Sequence, residues 1–381
     1  MAYFDNAATT YPKPEVVYES MDKFYRLNGA NAGRGSYQQS MSASSLIKHL
    51  RESVKSLFHC PNKEVIFTPT DTLALNMIIQ GMVVAGVFSV YISPFEHNAV
   101  TRTLHHFEKD GRIKITQLAV TKDMNYDFER IQYQFDSVKP DIVIISHASN
   151  AFGLVAPIEE IFTLAKKYNA FTVADMAQTA GLIDTNVGLE CFDFAVFAGH
   201  KTMYGPTGIS GFVMKPEIKL PPILFGGTGY DSANQDMPDS LPEKYEMGTL
   251  NISGMAGLDA AISWLNEQTL NSLWKVEQEH RRQLIDILSE YSFIKIVGNY
   301  PDNKYVGIVS ILIDGITSDS AGPLFDKLGI AVRTGLHCAP LAHQFMGTYP
   351  TGTIRFSVNY FTSTEDFEAL KDALDYIEDN I

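Results

Sequence analysis

The sequence predicts an α/β protein: a large, mixed but mostly parallel sheet covered by helices on both faces, with a smaller α+β domain at the C-terminal end. Three observations lead there. Short runs of β-branched and aromatic residues alternate with longer helical patterns. Most of these runs are apolar throughout rather than at every second position, which marks strands buried on both faces. The alternation also thins out after about residue 262. The chain has 381 residues, 45 % hydrophobic and 19 % charged, enough for a substantial core.

In chain order, the predicted strands of the large sheet are EVIFT (64–68), FSVYIS (88–93), IKITQL (113–118), DIVIIS (141–146), FTVAD (171–175), DFAVFA (193–198) and GISGFVM (208–214). Helical stripes lie between several of them. Residues 44–58 carry Leu46, Leu50, Val54, Leu57 and Phe58 on one face, and 157–168 opens with Pro157 at a first-turn position. Beyond 262 a long polar helix (267–290) is followed by VGIVSILI (306–313), a helix near 319–328, a short strand at 329–333, GTIRFSV (352–358) and a last helix near 364–378. The expected division is a large domain over 16–262 and a small domain built from 1–15 and 263–381.

Charge and cysteine usage exclude several function classes. With 30 Lys+Arg against 44 Asp+Glu the net charge is −14, a poor match for nucleic acid, which needs a basic patch. Cys60, Cys191 and Cys338 are too few and too far apart for a disulfide framework, and no pair has zinc-ligand spacing. No metal site is expected. The N-terminus MAYFDNAATT lacks the pattern of a signal peptide, and no apolar run is long enough to span a bilayer. A cytoplasmic protein with reduced thiols is the expectation.

Ligands of open α/β sheets sit at the carboxyl ends of the strands, and these strands are followed by polar groups: Thr70-Asp71-Thr72, then Glu96-His97-Asn98, His147 and Ser149-Asn150, Asp175 and Gln178, and His200-Lys201. Thr70–Thr72 open a helix, so they either cap it or bind a phosphate with its free N–H groups. Asp175 ends an apolar strand, where a carboxylate is costly unless paired. Its partner is a structural donor or the cationic nitrogen of a ring. Lys201 also ends an apolar strand, and a buried lysine is a nucleophilic amine suited to covalent chemistry with an aldehyde. An amine for an aldehyde, a carboxylate for a ring nitrogen and a helix start for a phosphate together describe pyridoxal phosphate.

Four motifs carry a family resemblance: YFDNAATT (3–10), DMAQ (175–178), AGHKTMYGPTGI (198–209) and RTGLHCAP (333–340). Together they resemble the class V aminotransferase type of pyridoxal phosphate enzymes, and the last narrows the resemblance to the cysteine desulfurase/selenocysteine lyase group. The match runs from residue 3 to at least residue 360. It implies fold type I, with a large cofactor-binding domain and a smaller C-terminal one. It also implies that Lys201 anchors the cofactor and serves as the proton-transfer base, that Asp175 pairs with the ring nitrogen, and that His97 stacks on the ring. Asn150 and Gln178 are implied near the phenolic oxygen, and Thr70, Asp71, Thr72 and His200 near the phosphate. Thr249 would reach the phosphate of the partner subunit of a homodimer. Arg355, with Arg333 and Asn150, would bind the substrate carboxylate as a planar fork.

Cys338 is implied as the sulfur-accepting nucleophile, its thiolate favoured by His337 and Arg333 beside it in sequence. Cys60 and Cys191 lack such settings and read as structural. Ala198, Thr70 and Leu336 depart from the group's usual residues at their positions and bear on the choice of substrate and acceptor. The implied reaction is release of alanine from L-cysteine with transfer of its sulfur to Cys338 and on to an acceptor thiol or protein. The alternative is a selenocysteine lyase, or another class V aminotransferase or epimerase acting on a small amino acid.

Overall fold

The computed structural model describes residues 1–33, 35–230 and 233–380. The strands are β1 (Ala2–Tyr3), β2 (Glu64–Thr68), β3 (Ser89–Ile92), β4 (Lys114–Gln117), β5 (Ile142–Ser146), β6 (Phe171–Asp175), β7 (Phe194–Ala198), β8 (Ser210–Met214), β9 (Ile294–Val297), β10 (Ile308–Ile313), β11 (Ile330–Ala331), β12 (Arg333–Gly335) and β13 (Thr353–Ser357). The helices are α1 (Glu15–Asn28), α2 (Gln38–Leu57), α3 (Asp71–Val84), α4 (Asn98–Lys109), α5 (Phe128–Ser137), α6 (Ile158–Lys166), α7 (Ile252–Gln268), α8 (Leu270–Ser289), α9 (Ser318–Lys327), α10 (Pro340–Met346) and α11 (Thr364–Glu378).

Seven strands form the large sheet in the order β2-β8-β7-β6-β5-β3-β4. All neighbours are parallel except β8, which runs antiparallel to both β2 and β7. The continuous apolar runs have a direct explanation in the packing. Val65, Phe67, Val143, Ile145, Ala195 and Phe197 join one core with α2, α6 and α7. Their alternates Ile66, Ile142, Ile144, Val173 and Val196 join a second core with α3 and α4. Strand β4 differs. It is an edge strand and only partly covered, as its Lys114 and Gln117 allow.

The second sheet is antiparallel, in the order β12-β13-β10-β9. It packs through Ile311, Phe356 and Val358 against Leu284 and Leu288 of α8 and Phe367, Leu370 and Leu374 of α11. Helix α11 begins with a capping box between Ser363 and Asp366. The predicted polar helix starts at Leu270 rather than 267, because the chain turns at Thr269, whose φ of 63° ends α7. Thr269 then caps α8 by accepting from Ser272 N–H. Strand β1, which has no sequence signal of its own, pairs in parallel with β11, and Phe4 just after it is buried in the core of the second sheet. Among the described residues no helix is long and apolar enough to cross a membrane.

Two features of this architecture place the site. The carboxyl ends of β5, β6 and β7 lie at one edge, with Ser146 in register with Asp175 and Asp175 with Val196. Helices α3 and α4 lie on one face of the sheet and start just past the ends of β2 and β3, so their N-termini open at that edge. The turn after β7 then folds back tightly, with Gly199 N–H donating to Ile209 O, Gly205 N–H to Gly199 O, and Tyr204 N–H to Lys201 O. A Cβ on Gly199 would stand 2.4 Å from Ile209 O. Gly199→Ala is therefore expected to destabilise the fold by about 1–3 kcal/mol, the usual penalty of overpacking, and to lower the urea midpoint. An unchanged midpoint would show that this turn can open without cost.

Candidate active site

Lys201 is half-buried at the start of that turn. Its carbonyl accepts from Thr10 Oγ1 (2.8 Å) and from Tyr204 N–H (2.8 Å), which leaves the Nζ group as the free end of the residue. The preceding carbonyl, of His200, accepts from Lys13 Nζ (2.6 Å), Thr9 Oγ1 (3.2 Å) and Thr10 N–H (3.1 Å). The N-terminal segment thus straps the lysine turn to the rest of the protein. Burial pushes Lys13 down to about 7.

Asp175 is buried at the end of β6. Burial and then the nearby Asp71 carboxylate push it up to about 6, against the Ala177 N–H, the Lys201 charge and the Ser146 hydroxyl. Its Oδ1 accepts from Ala177 N–H at 3.0 Å. His97 caps α4, its Nδ1 accepting from Ala99 N–H at 3.0 Å. Burial and Lys201 push the ring down to about 4, so it is a neutral imidazole with the proton on Nε2. His200 is likewise pushed down to about 4, by burial and then by Lys201, and its Nδ1 lies 3.1 Å from Thr9 Oγ1. The charges of Lys201 and Asp71 both act on His97, Asp175 and His200.

Of the two readings of Thr70–Thr72, the capping one describes Thr70, whose Oγ1 accepts from Leu73 N–H at 3.1 Å. Thr72 is exposed. Gln178 donates to Ala7 O at 2.8 Å. Asn150 donates to His337 O at 2.5 Å, and its own carbonyl accepts from Arg355 Nη1 at 2.8 Å.

Arg355 is buried in the middle of β13. Its Nη2 donates to Asp5 at 2.9 Å, and its Nε is a buried donor without an acceptor. Arg333, directly across β12 and β13 from Arg355, clasps the same Asp5 carboxylate through Nε (3.1 Å) and Nη2 (2.8 Å). The fork expected to be open at Arg355 is therefore already half engaged.

Cys338 is exposed in a tight turn closed by Ala339 N–H to Leu336 O (2.8 Å). His337 and Cys338 have φ of 48° and 56°, the two left-handed central residues of a type I′ geometry. Each non-glycine residue there costs on the order of 1–3 kcal/mol, so the turn depends on its ties. Asn98 N–H donates to Cys338 O (2.7 Å) and Asn150 holds His337 O. One sequence-based expectation is corrected here. His337 is not a positive neighbour of the thiol: its ring is buried, bonded to Thr353 Oγ1 at 3.0 Å, and driven well below its ordinary pKa by burial and by Arg355. The cations acting on Cys338 are Arg333 and Arg355.

Cys60 and Cys191 are buried, and burial pushes Cys60 up to about 11 and raises Cys191, as expected of inert thiols. Thr249 is exposed. It lines cavities of about 210 and 780 Å³, beside Pro69 and Gly208 in one and Arg51 and Gly227 in the other. Sequence reasoning gave no role to Asp5, Thr9, Thr10, Lys13 or Asn98. YFDNAATT served there only as a family marker.

The aminotransferase class-V family model matches residues 2–370. The chain belongs to this family. A protein of Halalkalibacterium halodurans named a probable cysteine desulfurase is 32 % identical over 98 % of this chain and 92 % of its own. One of Methanothermobacter thermautotrophicus with the same name is 29 % identical over 98 % of this chain and 94 % of its own. Among solved structures, the apo cysteine desulfurase of Thermococcus onnurineus superposes with a TM-score of 0.92 at 27 % identity, over 100 % of this chain and 95 % of that one. The cysteine desulfurase CsdA of Escherichia coli, in an S-sulfonic acid form, gives 0.86 at 25 % over 99 % and 94 %. Within the class V aminotransferases, the chain falls in the cysteine desulfurase group, whose members use pyridoxal phosphate.

Two outcomes follow from the site's electrostatics. Asp5 is the counter-charge of a buried guanidinium, so Asp5→Ala is expected to cost about 3–5 kcal/mol, read as a lowered urea midpoint. A loss below about 1 kcal/mol would show that Arg355 does not depend on it.

The histidines His97, His200 and His343, each pushed down to about 4, and His147, pushed down to about 3, are neutral in the folded protein, His147 and His343 buried and His97 and His200 partly so. Their folded values lie below the unfolded value of about 6.5, so the unfolded chain binds more protons between the two. Stability is then full above about pH 6.5 and falls toward pH 4, by about 1.4 kcal/mol per pH unit for each histidine titrating. Urea unfolding at a series of pH values checks this, and a flat profile from pH 7 to 4.5 would contradict it.

Proposed function

We propose that this class V aminotransferase is a pyridoxal phosphate-dependent L-cysteine desulfurase in which Cys338 receives the sulfur. The observation that carries this reading is the docking of the exposed Cys338 turn, through Asn98 and Asn150, onto the edge where Lys201, Asp175 and His97 converge.

The residues fit the cofactor on the chemistry of what is left unpaired. Asp175 is a buried carboxylate bonded to neutral donors, a site that favours a cationic ring nitrogen. His97 presents a neutral ring for stacking. The start of α3 offers N–H groups and the Thr72 hydroxyl to a phosphate, with Thr70, Asp71 and His200 beside it. Lys201 Nζ has the free amine needed for the aldehyde. Gln178 and Asn150 lie nearby for the phenolic oxygen. When bound, pyridoxal phosphate supplies a sink for the electron pair released at the substrate Cα.

The chain's own groups then divide the work. Arg355, with its unpartnered Nε, and Arg333 bind and orient the substrate carboxylate. Asn150 fixes both Arg355 and the Cys338 turn. Lys201 Nζ takes the proton from the substrate Cα and returns one to carbon. Cys338 Sγ, as thiolate, attacks the substrate sulfur. An S–S bond forms as the Cβ–S bond breaks, and the bonding pair goes to carbon, which leaves as alanine once protonated. The protein is left with a persulfide on Cys338, exposed for an acceptor thiol.

In this reading residues 16–262 hold the cofactor and residues 1–15 and 263–381 bring the arginines and the cysteine to it. Thr249 serves the phosphate of a second subunit in a homodimer, and the enzyme works in the cytoplasm.

Cys338→Ala tests the reading. Alanine and sulfide release from L-cysteine is expected to fall at least about 100-fold while the protein keeps its yellow cofactor. Undiminished release would overturn the persulfide route. The same assay with selenocysteine decides the substrate, since selenide release that survives the change while cysteine turnover is negligible in both forms would make the enzyme a lyase for selenocysteine.

A further inference from the structure

Glu277 of α8 has no part in the roles above, yet it is buried. Its Oε1 accepts from Gly307 N–H at 2.6 Å, and among the described residues its Oε2 has no hydrogen-bond partner. The chain passes close by because residue 307 is a glycine: a Cβ there would stand 2.7 Å from Glu277 Cγ. Arg281, one helical turn further on, is engaged elsewhere. Its Nη2 donates to Asn299 at 2.8 Å, and its guanidinium lies 4.5 Å from the centre of the Tyr305 ring. A buried carboxylate with a single neutral donor and no paired cation is costly. Burial accordingly pushes Glu277 up to about 7, against the Gly307 N–H and the Arg281 charge.

Glu277 borders a cavity of about 20 Å³ that Thr10, Gln178, Thr202, Tyr204 and Gly307 also line. Such a volume holds one body the size of a water molecule. The polar groups around it have committed protons to other partners. Thr10 Oγ1 donates to Lys201 O (2.8 Å), Thr202 Oγ1 to Ala180 O (2.7 Å) and Gln178 Nε2 to Ala7 O (2.8 Å). Tyr204 Oη accepts from Tyr360 N–H at 3.2 Å. What these groups have left is chiefly oxygen lone pairs. Lone pairs gathered around a dry carboxylate repel unless a positive charge lies among them. A proton on Glu277 would engage one of those oxygens, whereas a cation engages several at once.

The charge of that cation follows from the ligands. One carboxylate balances one positive charge. Among the described residues no group of three or more His, Cys, Asp or Glu is placed to hold a metal ion, as a transition metal or a tightly held divalent ion demands.

We propose that this cavity binds a monovalent cation of the size of a water molecule, such as potassium, with Glu277 as its counter-charge and neutral oxygens of Thr10, Gln178, Thr202 and Tyr204 as further ligands. Three of these residues also build the lysine turn: Thr10 Oγ1 and Tyr204 N–H bond to the Lys201 carbonyl, and Thr202 follows Lys201 in the chain. An ion in the cavity braces that turn whatever Lys201 Nζ binds, so the proposal does not rest on the cofactor reading.

Urea unfolding of the holoenzyme in potassium chloride and in choline chloride, at equal ionic strength, tests the site. A ligand of the folded state alone, at about 100 times its dissociation constant, raises the folded-to-unfolded ratio about 100-fold. The wild-type midpoint is therefore expected to rise as potassium replaces choline. In Glu277→Gln, which keeps the shape and the bond to Gly307 N–H but lacks the charge, the midpoint should not respond to potassium. Equal wild-type midpoints in the two salts, or a potassium effect undiminished in Glu277→Gln, would overturn the proposal. Crystals of the wild-type holoenzyme grown in rubidium chloride locate the ion without any substitution. Anomalous density is expected in the cavity beside Glu277, and density accounted for by a water molecule alone would sink the site.

Discussion

One carboxylate holds together parts of this protein that are far apart in the chain. Asp5 accepts from Arg333 and Arg355, which face each other across neighbouring strands of the second sheet. Arg355 in turn holds the carbonyl of Asn150, in the loop after a central strand of the large sheet. The two sheets and the N-terminal strand therefore meet at a single ion cluster. Two guanidinium groups so close repel unless an anion lies between them, and Asp5 is that anion. The same residues lie beside the cysteine turn, so substrate binding and structural integrity draw on shared groups.

Around Lys201 the site is kept poor in fixed positive charge. His97, His200 and His337, half-buried or buried, are all neutral rings, each with a hydrogen-bond partner that sets its orientation. Neutral imidazoles can stack or donate without competing with Lys201 or the arginines for the anionic groups of a ligand. The carboxylates divide likewise: Asp5 serves the arginines and Asp175 the candidate ring nitrogen.

The cysteine turn shows how an exposed nucleophile can be held in place. Two successive left-handed residues without glycine are unfavourable alone. Here one main-chain bond from Asn98 at the start of α4 and the Asn150 amide fix the turn from the large-sheet side, while His337 anchors it from below through Thr353. The thiol is left at the surface, where an acceptor can reach it.

Much of this was legible in the sequence, for a physical reason. A strand buried on both faces must be apolar at every position, so the strands of the large sheet announce themselves, and a polar residue directly after such a strand stands out. Lys201, Asp175 and His97 were found that way, and Cys338 by the motif around it. What linear reading could not reach was pairing between distant segments. Nothing in YFDNAATT says that Asp5 meets Arg333 and Arg355, or that Thr10 and Lys13 brace the lysine turn. Adjacency also misled at His337, next to Cys338 in sequence but buried beneath it and neutral. Local pattern determined which residues are strands, helices and candidate chemistry. Only the tertiary structure decided which charges are buried, which are paired and which remain free, because burial and charge pairing depend on neighbours that folding brings from elsewhere in the chain.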